Sequence, residues 1–179
     1  MSEVTDHLYI SGYEFASNLS ELQRHRITHI LNMSYEYDNA FPDEFTYMHI
    51  PAKDTLTERL GPWFHDIAAF VAEAKKSNGT TLVHCQLGIS RSSTALLASL
   101  IINEELRLSS AFKLLKGATP DVEPNPTFLR ELRALEREIH GECSLEKLTV
   151  LDQCKTPAPL DWKESIAIIL ASAAAADTP

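Results

Sequence analysis

Apolar residues along this 179-residue chain fall into two spacings. Short, largely apolar runs bounded by polar residues occur at Leu8-Tyr9-Ile10, 27–33, 45–50 and 80–84. They read as strands, the 27–33 run as a buried one. Elsewhere the spacing lengthens to three or four. Trp63, Ile67, Phe70, Val71 and Ala74 mark a helix over 62–76 that stops at Ser77-Asn78-Gly79. Residues 17–25, with Ser17 or Asn18 as the cap, and 92–105, 109–116 and 125–140 read as further helices. Residues 34–44 form a polar, acidic loop. Strands alternating with helices predict an α/β fold with a mostly parallel sheet. Ligands of such sheets lie beyond the carboxyl ends of the strands.

Composition narrows this little. Hydrophobic content of 44% and charged content of 23% suit a globular protein with one ordinary core. No apolar run reaches the length of a membrane span, and the first residues lack the pattern of a secretory signal. A formal charge of −9 argues against non-specific nucleic-acid binding. The three cysteines, Cys85, Cys143 and Cys154, make no disulfide framework and suit a reducing, cytoplasmic or nuclear setting. The composition changes after Gly141, so we expect a catalytic domain over 1–141 and an extension over 142–179. Pro157 and Pro159 interrupt the extension, and Ile166, Ile168, Ile169, Leu170 and a string of alanines predict a final helix within it. Segment 160–176 then either packs on the domain or binds a partner.

One run carries chemistry: Val83-His84-Cys85-Gln86-Leu87-Gly88-Ile89-Ser90-Arg91-Ser92-Ser93, between a predicted strand and a predicted helix. A turn leading into a helix start aims its backbone N–H groups at one point, where the helix dipole favours negative charge. Such a point holds a phosphate and favours a thiolate at Cys85. Arg91 adds a permanent planar cation that matches two phosphate oxygens. Gln86, Leu87, Gly88, Ile89, Ser90 and Arg91 thus form an anion cradle around the nucleophile Cys85. Gly88 permits a tight turn where a side chain would crowd the phosphate.

The run at 84–92 resembles the active-site loop of the dual-specificity subfamily of cysteine-based protein phosphatases, small stand-alone type, and the resemblance extends over roughly residues 4–140. It implies a three-layer α/β sandwich of the protein tyrosine phosphatase type, with a central, mostly parallel sheet of about five strands flanked by helices. It implies hydrolysis of phosphotyrosine and phosphoserine/phosphothreonine through a phosphocysteine, with no cofactor and no metal; the seven histidines are scattered. By the same resemblance Asp54 is the general acid, with Glu58 as second candidate. Ser92 helps the cysteine leave, and His84 orders the loop and tunes the thiolate. Asn125, in Pro124-Asn125-Pro126-Thr127-Phe128, braces the loop, with Thr127 where the family usually has glycine.

The expected partner is a phosphoprotein. The alternatives left open are a non-protein phosphate ester, an RNA 5′-triphosphate, and a phosphate-binding module with little turnover. Two further expectations concern control and specificity. Cys143 or Cys154 forms a disulfide with oxidised Cys85, or the thiols are unrelated. Glu36, Asp38, Asp43, Glu44, Asp121 and Glu123 either rim the pocket and disfavour acidic peptides or are merely solvated.

Overall fold

The computed structural model describes residues 1–145. The predicted helix over 162–176, the partner segment 160–176 and Cys154 lie outside the described residues. A five-stranded sheet has the order β1-β2-β5-β3-β4, from β1 (Ser2–Thr5), β2 (Leu8–Ser11), β3 (His29–Asn32), β4 (Thr46–His49) and β5 (Thr81–His84). β5 runs parallel to both β2 and β3, and β3 runs parallel to β4. Only β1 is antiparallel, pairing with β2 at the edge. The sheet is therefore mostly parallel, as expected. β1 was not legible as a strand because Ser-Glu-Val-Thr carries one apolar residue, Val4, which enters the core.

Period-2 alternation divides the strands between two cores. Leu8, Ile10, Leu31 and Val83 face the larger one. There the sheet is covered by α3 (Phe64–Lys76), α4 (Arg91–Asn103), α5 (Leu108–Ala118) and α6 (Pro126–His140). Ile30 and Leu82 face the smaller one, with Ala16 and Leu22 from α1 (Tyr13–Ala16) and α2 (Leu19–Arg24). The result is a three-layer sandwich. The helix expected over 17–25 is α2, which starts two residues later; α1 lies before it and was not expected. Ser17 ends α1, and the Asn18 side chain accepts the Glu21 N–H to start α2.

α4 is the central helix: every residue from Arg91 to Ile101 is buried. Its start therefore sits inside the protein, next to the end of β5. α6 begins at Asn125, whose Oδ1 accepts the N–H groups of Thr127 and Phe128 at 3.0 and 3.1 Å. It ends at Gly141, in the left-handed region at φ +78°. The fully buried Glu136 accepts from the Leu108 N–H at 2.9 Å, at the start of α5. It also accepts from the Ser144 N–H and Oγ, at 3.0 and 2.6 Å. That carboxylate ties Ser144 to the domain, and the neighbouring Cys143 and Leu145 are buried in the larger core.

Candidate active site

Register brings the carboxyl ends of the three inner strands side by side. Ser11 and Asn32 both pair with His84. The chain leaving β5 at Cys85 therefore emerges between the turn after β2 and the loop after β3, with the Met33 N–H donating to the His84 carbonyl at 2.8 Å. Residues 85–90 arch over this gap and enter α4 at Arg91. The loop borders an open cleft of roughly 450 Å³.

Cys85 lies at the floor, 2% exposed. Its Sγ accepts the Gly88 N–H at 3.2 Å and stands 3.3 Å from Ser92 Oγ. The Gly88 N–H thus points at the sulfur, and the Ser92 hydroxyl lies within hydrogen-bond reach of it, with either atom able to donate. Gly88 adopts φ +80°, and a Cβ on it would sit 2.8 Å from the Ser11 carbonyl carbon and 2.9 Å from the Gly12 nitrogen. Its glycine is thus required against the β2–α1 turn, a different reason from the crowding of phosphate inferred from sequence. That turn buttresses the loop in return. The Tyr13 N–H donates to the Gln86 carbonyl at 3.0 Å, and a Cβ on Gly12 would meet that same oxygen at 2.9 Å.

Arg91 is 2% exposed. Its Nη1 donates to Glu36 Oε2 at 2.6 Å and to the Ala52 carbonyl at 2.9 Å. Burial raises the Glu36 pKa, but the Arg91 hydrogen bond and nearby backbone N–H groups outweigh it and hold the carboxyl below its usual range. One side of the guanidinium is thereby fixed, which presets its plane for a bidentate anion.

Asp54 borders the cleft and touches the loop at Ser90. Its Oδ1 accepts from Ser90 Oγ at 2.8 Å and from Asn125 Nδ2 at 2.9 Å. The Asn125 backbone N–H donates to Ser90 Oγ at 3.2 Å. Thr127 adds a further tie, its Oγ1 donating to the Leu56 carbonyl at 2.8 Å. The departure from glycine at 127 is therefore accommodated, and it gives the Asp54 loop an extra anchor. Glu58 does not line the cleft; it accepts the N–H groups of Lys53 and Arg59 at 3.0 and 3.4 Å.

His84 is buried with its Nδ1 3.4 Å from the Cys85 carbonyl oxygen. Burial depresses its pKa to about 4, against a small upward effect of that carbonyl, with His49 lowering it further. The ring is thus neutral near pH 7. A neutral ring supplies no positive charge to the sulfur. Among the six acidic residues expected at the rim, only Glu36 lines the cleft, and it is committed to Arg91. The remaining wall includes Tyr35, Lys53, Thr55 and Leu87, of which Leu87 is 71% exposed. Three features here carried no signal in the sequence: the Glu36–Arg91 pair, the Ser90–Asp54 contact and the turn at Ser11–Tyr13. Cys143, one of the two thiols considered as a disulfide partner for Cys85, is buried in the larger core, and burial raises its pKa.

The match to known proteins spans the region just described. The family model of the dual specificity phosphatase catalytic domain matches residues 8–138. The human protein phosphatase Slingshot homolog 3 is 39% identical over 132 residues, 74% of this chain and 20% of that protein. The mouse dual specificity protein phosphatase 19 is 36% identical over 129 residues, 72% of this chain and 59% of that protein. The chain therefore spans less than two thirds of either. The crystal structure of human DUSP28 superimposes with a TM-score of 0.76 at 26% identity, covering 79% of this chain and 99% of that one.

Proposed function

We propose that this chain, which belongs to the dual specificity phosphatase catalytic-domain family, hydrolyses phosphotyrosine and phosphoserine/phosphothreonine in proteins. The observation that carries the reading is the environment of Cys85. Its sulfur takes a hydrogen bond from the Gly88 N–H and lies 3.3 Å from Ser92 Oγ, in a cleft that also presents Arg91 and Asp54.

In this mechanism Cys85 sulfur attacks phosphorus in line. The S–P bond forms as the P–O bond to the substrate oxygen breaks, and that oxygen takes a proton from Asp54. Because Oδ1 already accepts from Ser90 and Asn125, the transferable proton resides on Oδ2. The loop N–H groups and Arg91 bind the phosphoryl oxygens as their charge redistributes. In the second step Asp54 takes a proton from water, the water oxygen bonds to phosphorus, and the P–S bond breaks. Ser92 donates its hydrogen bond to the departing thiolate. His84 and Asn125 are positioning residues: one fixes the Cys85 carbonyl, the other holds Asp54 and Ser90 together.

The test is hydrolysis of a phosphotyrosine and a phosphothreonine peptide in the presence of a chelator, by the wild type, Cys85→Ser and Asp54→Asn. Turnover of both peptides is expected, abolished in Cys85→Ser and cut by about 10²-fold or more in Asp54→Asn. Folded, reduced protein that hydrolyses neither peptide would overturn the proposal.

A further inference from the structure

The cleft contains a second cation that the catalytic scheme does not use. Lys53 precedes Asp54, is exposed, and holds its ammonium 4.3 Å from the centroid of the Tyr35 ring. Tyr35 is itself 58% exposed, and both residues line the cleft over Cys85. An aromatic face attracts a cation through its quadrupole while leaving the far side of the cation open. Among the described residues no carboxylate pairs with this ammonium, whereas Arg91 is bound to Glu36 at 2.6 Å.

The position of the pair is fixed relative to Arg91. The Ala52 carbonyl accepts both Arg91 Nη1 at 2.9 Å and the Tyr35 N–H at 3.1 Å. The next residue is Lys53, and its own N–H is held by Glu58 Oε2 at 3.0 Å. One peptide unit therefore sets the spacing between the phosphate cradle and the wall formed by Tyr35 and Lys53. A phosphoresidue placed over Cys85 brings its chain neighbours against that wall.

We propose that Lys53, braced on the Tyr35 ring, is an anion subsite that selects phosphopeptides bearing a second negative group, carboxylate or phosphate, beside the residue being dephosphorylated. This rests on the phosphatase reading above. It reverses the preference that an acidic rim would impose, since the one acidic candidate in the cleft other than Asp54 is neutralised by Arg91. An exposed ammonium paired with one carboxylate yields roughly two- to fivefold, more with a second phosphate, and less as salt rises.

The experiment compares phosphotyrosine peptides that differ only in flanking glutamate, phosphoserine, glutamine or lysine. It reads kcat/KM with the wild type and affinity with Cys85→Ser. Anionic flanks are expected to win in both readouts. The advantage should vanish in Lys53→Met, persist in Lys53→Arg and invert in Lys53→Glu. Comparing the glutamate and phosphoserine arms identifies which anion the subsite takes. Equal anionic-to-neutral ratios in the wild type and Lys53→Met would overturn the subsite alone. Absence of turnover would overturn the phosphatase reading, while the affinities of Cys85→Ser with and without Lys53→Met would still decide the subsite.

Discussion

Gly88→Ala and Gly141→Ala form a matched pair. Both glycines are in the left-handed region, at φ +80° and +78°, so alanine meets the same torsional penalty at each, about 1–2 kcal/mol. Their surroundings differ. A Cβ at Gly141 has no atom within 4 Å, whereas one at Gly88 collides with Ser11 and Gly12 backbone at 2.8 and 2.9 Å. That backbone cannot swing aside cheaply. Ser11 is paired with β5, and Tyr13 is hydrogen-bonded to Gln86. Relief of such overpacking adds roughly 1–3 kcal/mol. The expected cost is therefore about 3 kcal/mol for Gly88→Ala and about 1 kcal/mol for Gly141→Ala, within what a domain worth about 5–15 kcal/mol survives. At about 2–4 °C per kcal/mol, the midpoints fall by roughly 6–12 °C and 2–4 °C. Calorimetry reads the difference, and kcat/KM on a phosphotyrosine peptide reads its consequence. Only the variant at Gly88 displaces the N–H that donates to Cys85 Sγ. Equal destabilisation of the two variants, or a Gly88→Ala protein with unaltered turnover, would refute this account of the loop.

Thr127→Val removes the hydrogen bond from Thr127 to the Leu56 carbonyl and so loosens the loop of the proposed acid. Hydrolysis of phosphothreonine should drop by about threefold or more, a fraction of the ~10²–10⁴ that general acid catalysis supplies. An aryl phosphate with an acidic leaving group should be little affected, and Thr127→Ser should restore the rate. His84 titrates near 6.5 when unfolded and about 4 when folded. Its contribution to stability is therefore complete above pH 6.5 and lost as pH falls towards 4, by about 3 kcal/mol. His7 and His29, also depressed by burial, act in the same direction. Denaturant unfolding at pH 7 and 4.5 should accordingly show a smaller loss for His84→Asn than for the wild type. Glu136→Ala leaves three donors from Leu108 and Ser144 without a partner. The thermal midpoint should drop by an amount equivalent to about 3 kcal/mol, with kcat/KM unchanged.

What could be read from the sequence is what depends on neighbours in sequence. The spacing of Cys85, Gly88, Arg91 and Ser92 lies within eight residues, and the strand before it and the helix after it have strong apolar patterns. The start of the helix at Asn125 was legible likewise, though not the cap that fixes it, in which Asn125 accepts from Thr127 and Phe128 two and three residues on. Strand β1 escaped because an edge strand need bury only one face, and four mostly polar residues show no alternation long enough to register.

The parts of the site that escaped are contacts across the fold, and their character follows from the topology. Ser90 reaches Asp54 across 36 positions, Arg91 reaches Glu36 across 55, and Thr127 reaches Leu56 across 71. Each joins the cysteine loop or the start of α6 to the chain beyond β3 or β4. Parallel strands put their carboxyl ends on one edge of the sheet, so residues distant in sequence converge there. Composition along the chain cannot say which of several acidic residues in a loop will face the cleft. Glu36 and Asp38 differ by two positions, yet one closes on a buried guanidinium and the other does not line the site. The same convergence places Tyr35 and Lys53, from separate loops, in cation–π contact. On the proposed reading, flanking preference lies in a pair from the β3 and β4 loops, while the nucleophile and the anion cradle lie in the contiguous loop after β5, with the acid Asp54 brought to them from beyond β4. A substitution that changes which flanking residues are preferred should therefore map to Tyr35 or Lys53, and one that changes the rate for every protein substrate to 84–92 or to Asp54 and its partner Asn125.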